Sequence, residues 1–171
     1  MLSLYNKRVL RTLGFATLVF ILQSCSTATP ADFAGEWEGT VQVQEKQPGK
    51  EAKEYEKSIK IGILPDPDNA KSVIVLYKSM PLTADIRGNK FVVREENREK
   101  LSPLFTLLGL MAGKAAELSE FSITGKLSGS ETMDFSWDIE ITADNQKGRI
   151  SMQGELRRTS TKLPLDRLIS P

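Results

Sequence analysis

The chain has no histidine and a single cysteine among its 171 residues. The first absence removes the commonest general base, the commonest metal ligand and every histidine-dependent catalytic triad. The second excludes an intrachain disulfide, so an exported domain of this sequence must rest on its hydrophobic core. Charge of one sign is lacking too. Lys and Arg number 23 against 22 Asp and Glu, and a net charge of +1 gives no basic excess for nucleic acid. There is no Gly-rich phosphate loop, no nucleophile elbow and no metal-ligand spacing. No apolar run reaches the about 20 residues that span a bilayer. These absences together predict a protein that is not an enzyme and holds neither metal nor cofactor. The acidic pairs Glu95-Glu96 and Asp138/Glu140 are expected on solvated faces, and the mixed-sign run Arg94 to Lys100 as a solvated loop.

What is present begins with the leader. Lys7, Arg8 and Arg11 form a basic region, and Thr12 to Leu22 an apolar one. Leu22-Gln23-Ser24-Cys25 follows, a leucine three residues before the cysteine and a small residue just before it. This stretch resembles the lipobox of bacterial lipoproteins. The resemblance implies a signal peptide over residues 1–24, cleaved before Cys25, and a lipid on the Cys25 thiol. Each acyl CH₂ contributes ~0.8 kcal/mol of membrane binding, so two or three chains hold firmly where one does not. The remaining 147 residues carry 20 basic and 22 acidic side chains, because the leader holds three of the basic residues and none of the acidic. That length suits one domain. Residues 25–32 read as the acylated cysteine and a short polar tether, and 33–171 as the domain. Seven tether residues reach at most ~25 Å.

Period-two alternation dominates the rest. Trp37, Val41 and Val43 alternate with Glu38, Thr40 and Gln42; Tyr55, Ile59, Ile61 and Ile63 share a face. Pro65 to Asn69 is a turn. Val73 to Lys78 is apolar on both faces, so both are expected to be covered. Gly88-Asn89 joins two short strands as a hairpin. Phe121 to Leu127, Met133 to Ile141 and Ile150 to Leu156 complete eight strands. Short turns demand antiparallel order. Eight strands close into a barrel with room for side chains or one small ligand. The tail from Thr159 to Pro171 reads as a short outer helix or a frayed end.

One segment interrupts the pattern. Ser102-Pro103 is a helix start, and Leu104, Leu107, Leu108, Met111, Ala115 and Leu118 recur at helical spacing, predicting one inserted helix at about 102–118. It covers a barrel opening, forms a lid beside a ligand entrance, or dips into a membrane. Tyr77, Phe91, Phe121, Phe135 and Trp137 serve either as core or as a ligand box. The candidate cavity or lid residues are therefore Tyr77, Phe91, Leu104, Leu107, Leu108, Met111, Phe135 and Trp137.

Gly35-Glu36-Trp37 at the first strand, eight strands, and basic residues late in the last strand resemble the lipocalin superfamily. That resemblance implies an up-and-down barrel whose first-strand tryptophan, Trp37, closes the floor, with an arginine from the last strand, Arg157 or Arg158, packed across it. It departs from the family in placing its helix between strands five and six. The fold class expected is all-β, an eight-stranded antiparallel barrel. The function expected is an envelope lipoprotein whose barrel binds a small apolar or amphipathic ligand. The alternative is a non-catalytic interaction protein docking a partner through the 102–118 helix. The partners expected are a membrane, through the lipid anchor, and a small hydrophobic ligand, with no nucleic acid and a monomeric chain. Ser26 after the cysteine, by the lipoprotein resemblance, implies the outer membrane.

Overall fold

Alternating apolar and polar side chains build eight strands: β1 Gly35–Lys46, β2 Lys53–Pro65, β3 Ser72–Tyr77, β4 Met80–Arg87, β5 Lys90–Val93, β6 Ala116–Leu127, β7 Thr132–Ala143 and β8 Gln146–Ser160. This is a computed structural model, and it describes residues 27–47, 50–78, 80–103, 116–143 and 145–163. The leader, Cys25, the apolar stretch 104–115 and the tail from 164 lie outside the described residues. Each strand pairs antiparallel with the next, and β8 returns to pair with β1, so the sheet is a closed eight-stranded barrel. Closure pairs the first and last strands with each other, so neither is left as a sheet edge to recruit another chain.

Register puts the odd-numbered apolar residues of most strands inside. Trp37 lies opposite Ile61, Ile63 opposite Val75, Val75 opposite Leu82, and Phe135 opposite Gly125. The interior at one end is packed solid by Phe33, Trp37, Phe91, Met133 and Leu156, all fully buried. Each such side chain contributes about 1.5–3 kcal/mol by leaving water. Gly125 makes this packing possible, because the Phe91 ring occupies the space a Cβ there would need. Leu64 and Leu76 are buried on the outer face, apart from this core, so β2 and β3 are covered on both sides.

The two-residue connection Gly88-Asn89 has positive φ at Gly88 alone (65°), which a type II′ hairpin requires at its first central position. Asn145 takes φ 61° in the equally short β7–β8 turn.

Three expectations need correction. First, the stretch expected as a tether is docked on the barrel from Ala28 onward. Ala28 N donates to Gly88 O at 2.9 Å. Thr29 and Asp32 form a capping box for a short helix, α1, Pro30–Phe33. Burial of Phe33 at the turn's end fixes the segment. Second, the helix expected over 102–118 is displaced at both described ends. Residues 98–103 are already helical, and Ala116 to Leu118 belong to β6. Leu118 lies opposite Ile141, whereas Phe121 lies opposite Ile139, and the register shift between Leu118 and Glu120 is a β-bulge. The bulge moves the inward phase from even to odd residues, which breaks period two and mimics helical spacing. Third, Arg94 to Lys100 is not a solvated loop. A 3₁₀ turn at Glu95–Asn97 buries Asn97 completely.

Candidate functional site

The barrel has two unlike ends. At the closed end, Trp37 Nε1 donates to Phe33 O at 2.8 Å. The Arg158 guanidinium lies 4.7 Å from the centre of the Trp37 ring, and its Nη2 donates to Asp32 O. Phe33 meets Phe91 edge-on at 5.7 Å. Alternation along β8 selects between the two arginines. Arg158 lies opposite Trp37, on the inner face, while Arg157 lies opposite Glu38 and pairs outward with Glu155 at 3.4 Å. A cleft of ≈ 500 Å³ runs beside this end, bordered by Thr27, Asp32, Asn89, Ser130 and Arg158.

Among the described residues, the other end is left open. Val41 and Val43 are buried on the inner face of β1, and the register sets Lys57 and Tyr55 opposite them. Residues directly opposite in an antiparallel pair share a face, so Lys57 and Tyr55 are inner residues. Both are exposed, Tyr55 to 46 %. β3 pairs with β2 only from Ile61 onward, and β5 with β6 only over residues 124–126, so β2, β1, β8, β7 and β6 extend beyond the shorter strands. The inner face of this extension carries Val43, Ile139, Ile141, Ile150 and Met152.

Below it, one contact spans the barrel. Trp137 on β7 meets Tyr77 on β3 edge-on, centroids 4.7 Å apart at 84°. Trp137 is 5 % exposed, yet its Nε1 donor has no partner among the described residues. An unmade hydrogen bond on a buried donor costs about 1–3 kcal/mol, so such a donor invites an acceptor. Phe135 and Phe91 are core residues of the closed half. Leu104, Leu107, Leu108 and Met111 lie outside the described residues.

The sequence did not disclose the residues that complete the wall where β5 is short. Asn97 Oδ1 accepts from Thr83 N at 3.1 Å, and its Nδ2 donates to Thr83 O and Arg94 O at 2.9 Å each. Asn97 thus bonds the β4 edge as a strand would. Arg98 Nη1 donates to Leu118 O at 2.9 Å and to Ser119 O, occupying carbonyls at the β6 bulge. Its guanidinium lies 6.0 Å from the Phe121 ring centre, and Leu101 is buried just beyond. Mixed charge around Asn97 is the only sequence signal here, and it pointed the other way.

A second, polar cleft of ≈ 260 Å³ lies on the outer wall between Glu120, Asp138, Glu140 and Arg149. Burial works against ionisation of Asp138, but hydrogen bonds from Ser151 (2.7 Å), Arg149 (2.9 Å) and Ser136 (3.1 Å) outweigh it and hold the carboxyl below its ordinary value. Lys147 pairs with Glu140 at 2.7 Å. These carboxylates are tied to bases and hydroxyls rather than simply solvated. Among the described residues, no group of three or more His, Cys, Asp or Glu is arranged to hold a metal. None of their helices is long and apolar enough to cross a membrane.

No family model matches the chain, and no curated protein does. Among solved structures, it is similar to a protein of unknown function from the DUF3598 family of Nostoc punctiforme, at 14 % identity and a TM-score of 0.37. The similarity covers 77 % of this chain and 49 % of that one, so the chain spans about half the length of that protein.

Proposed function

We propose that the chain is an envelope lipoprotein, anchored through Cys25, whose barrel takes a small amphipathic molecule at its open end. The observation that carries this reading is the exposure of Tyr55 and Lys57 on the inner face, above a buried Trp137 Nε1 donor without a described partner. An apolar wall of Val43, Ile141, Ile150 and Met152 suits a hydrocarbon body. Lys57 suits an anionic head, and the indole N–H an acceptor. Sites of this kind are concave and mostly apolar, with few polar groups fixing orientation.

The test is titration of the mature chain carrying Cys25→Ala with a fluorescent fatty acid and with its neutral alcohol analogue. Saturable binding of both supports the reading. Trp137→Phe keeps a ring and removes the donor, and is expected to weaken binding several-fold, since one hydrogen bond contributes about 1 kcal/mol net. Lys57→Glu is expected to weaken the acid more than the alcohol, with the difference shrinking in salt.

A second reading, a non-catalytic interaction protein docking a partner through the 102–118 segment, draws on the Tyr77–Trp137 contact. That contact fills the centre of the barrel with protein side chains. Absence of probe binding by the unsubstituted protein favours it.

A further inference from the structure

The placement of the anchor relative to the barrel's two ends follows from the docked N-terminal segment. Ala28 is hydrogen-bonded to Gly88 O, in the β4–β5 turn of the closed end. Thr29 N and Thr29 Oγ1 both donate to Asp32 Oδ2, at 2.7 and 2.8 Å. Phe33 is fully buried against Phe91, Trp37 Nε1 is bonded to Phe33 O, and Arg158 bonds Asp32 O while covering the Trp37 ring. Four contacts therefore fasten residues 28–33 to one end of the barrel: Ala28 to Gly88, Phe33 to Phe91, Trp37 to Phe33 O and Arg158 to Asp32 O. From Ala28 back to Cys25 is three Cα steps, which span at most ~11 Å at 3.8 Å each. The seven-residue tether expected from composition is thus shortened to Ser26 and Thr27.

We infer that the closed end faces the membrane and that the open end, with residues 95–103, faces away from it. This rests on the lipid-anchor reading above. Acyl chains on Cys25 must lie in the bilayer, and a two-residue link leaves the closed end no room to turn away. The turns at 66–71, 88–89 and 128–131 are then the surface presented to lipid headgroups, with the cleft beside Asp32, Ser130 and Arg158 among them. β1 has 12 residues. At ~3.3 Å per residue and a tilt of ~40°, it holds the mouth ~30 Å farther out. A ligand at Tyr55 and Lys57 would accordingly be exchanged with the aqueous compartment or a soluble partner, not drawn laterally from the anchoring leaflet.

The test uses the native lipidated chain in phosphatidylethanolamine–phosphatidylglycerol vesicles containing a lipid with a nitroxide on its headgroup. An acylated Cys25 leaves no free thiol, so one new cysteine can be labelled uniquely. Ser130→Cys and Lys50→Cys carry the same fluorophore at exposed positions of the closed and open ends. The expected result is quenching several-fold greater at residue 130 than at residue 50. Equal quenching, or the reverse order, in protein that floats with the vesicles overturns the orientation while leaving the anchor intact. Protein that fails to float overturns the anchor, and the orientation falls with it.

Discussion

Trp37 concentrates three interactions in one side chain: full burial, a hydrogen bond to Phe33 O and the Arg158 guanidinium over its face. Trp37→Ala is expected to cost ~3–5 kcal/mol, the range for removing a large buried aromatic, read as a lowered urea midpoint. Arg158→Lys keeps the charge but loses the planar stack and the fork, and about 1 kcal/mol is expected to go with them. Three aspartates give the protein an acid limit. Backbone and side-chain hydrogen bonds from Thr29 lower the Asp32 pKa; Ser72 and the Asp68 N–H lower that of Asp66; Ser151, Arg149 and Ser136 overcome burial at Asp138. A carboxyl whose folded pKa is depressed stabilises the fold fully above its ordinary value, here 3.8, and that contribution is lost as pH falls through the folded values. Urea midpoints should therefore hold steady above about pH 5 and fall below about pH 4. Asp138→Asn should lower the plateau and flatten the fall.

Strand β6 shows where sequence reading succeeds and fails. Its second half, Phe121 to Leu127, alternates cleanly and is legible as a strand. Its first half is hidden by the bulge at Leu118/Glu120, which shifts the phase and yields helical spacing. The start of β2 is only partly legible: Tyr55 falls in phase with Ile59, Ile61 and Ile63 and does face inward, but Lys57 shares that face and remains exposed, so polarity there no longer reports the face. Asn97 and Arg98 were illegible because their partners are backbone groups of β4 and β6, 14 and 20 or more residues away. Period two placed Trp37 on the buried face, whereas its arginine partner was implied only by the lipocalin resemblance; Arg158 rather than Arg157 needed the register. Asn97→Ala leaves the Thr83 amide without its partner, while Thr83 O keeps the hydrogen bond from Arg94 N. It is expected to cost ~1–3 kcal/mol and to speed amide exchange at Thr83. Gly125→Val drives a branched side chain into the Phe91 ring, and overpacking of this kind costs ~1–3 kcal/mol. A double variant with Phe91→Ala should recover part of that loss.

For the whole molecule, the lipid-anchor proposal has a direct check. Cys25→Ala should abolish incorporation of labelled palmitate and move the protein from the membrane to the soluble envelope fraction; persistent labelling would count against the leader reading. Closure by the first and last strands has a separate consequence, in time rather than in space. Residues 35–46 find half of their ladder only in residues 146–160, more than a hundred positions later. Long-range pairing of this kind makes folding slow. A ribosome that has not yet delivered β8 has delivered a sheet with two raw edges, β1 and β7, and no finished core. Such a chain must either be kept unfolded until its end emerges or be shielded, because open edges seed aggregation. A truncation before Gln146 should thus yield insoluble protein rather than a smaller stable domain, however well its remaining seven strands are written.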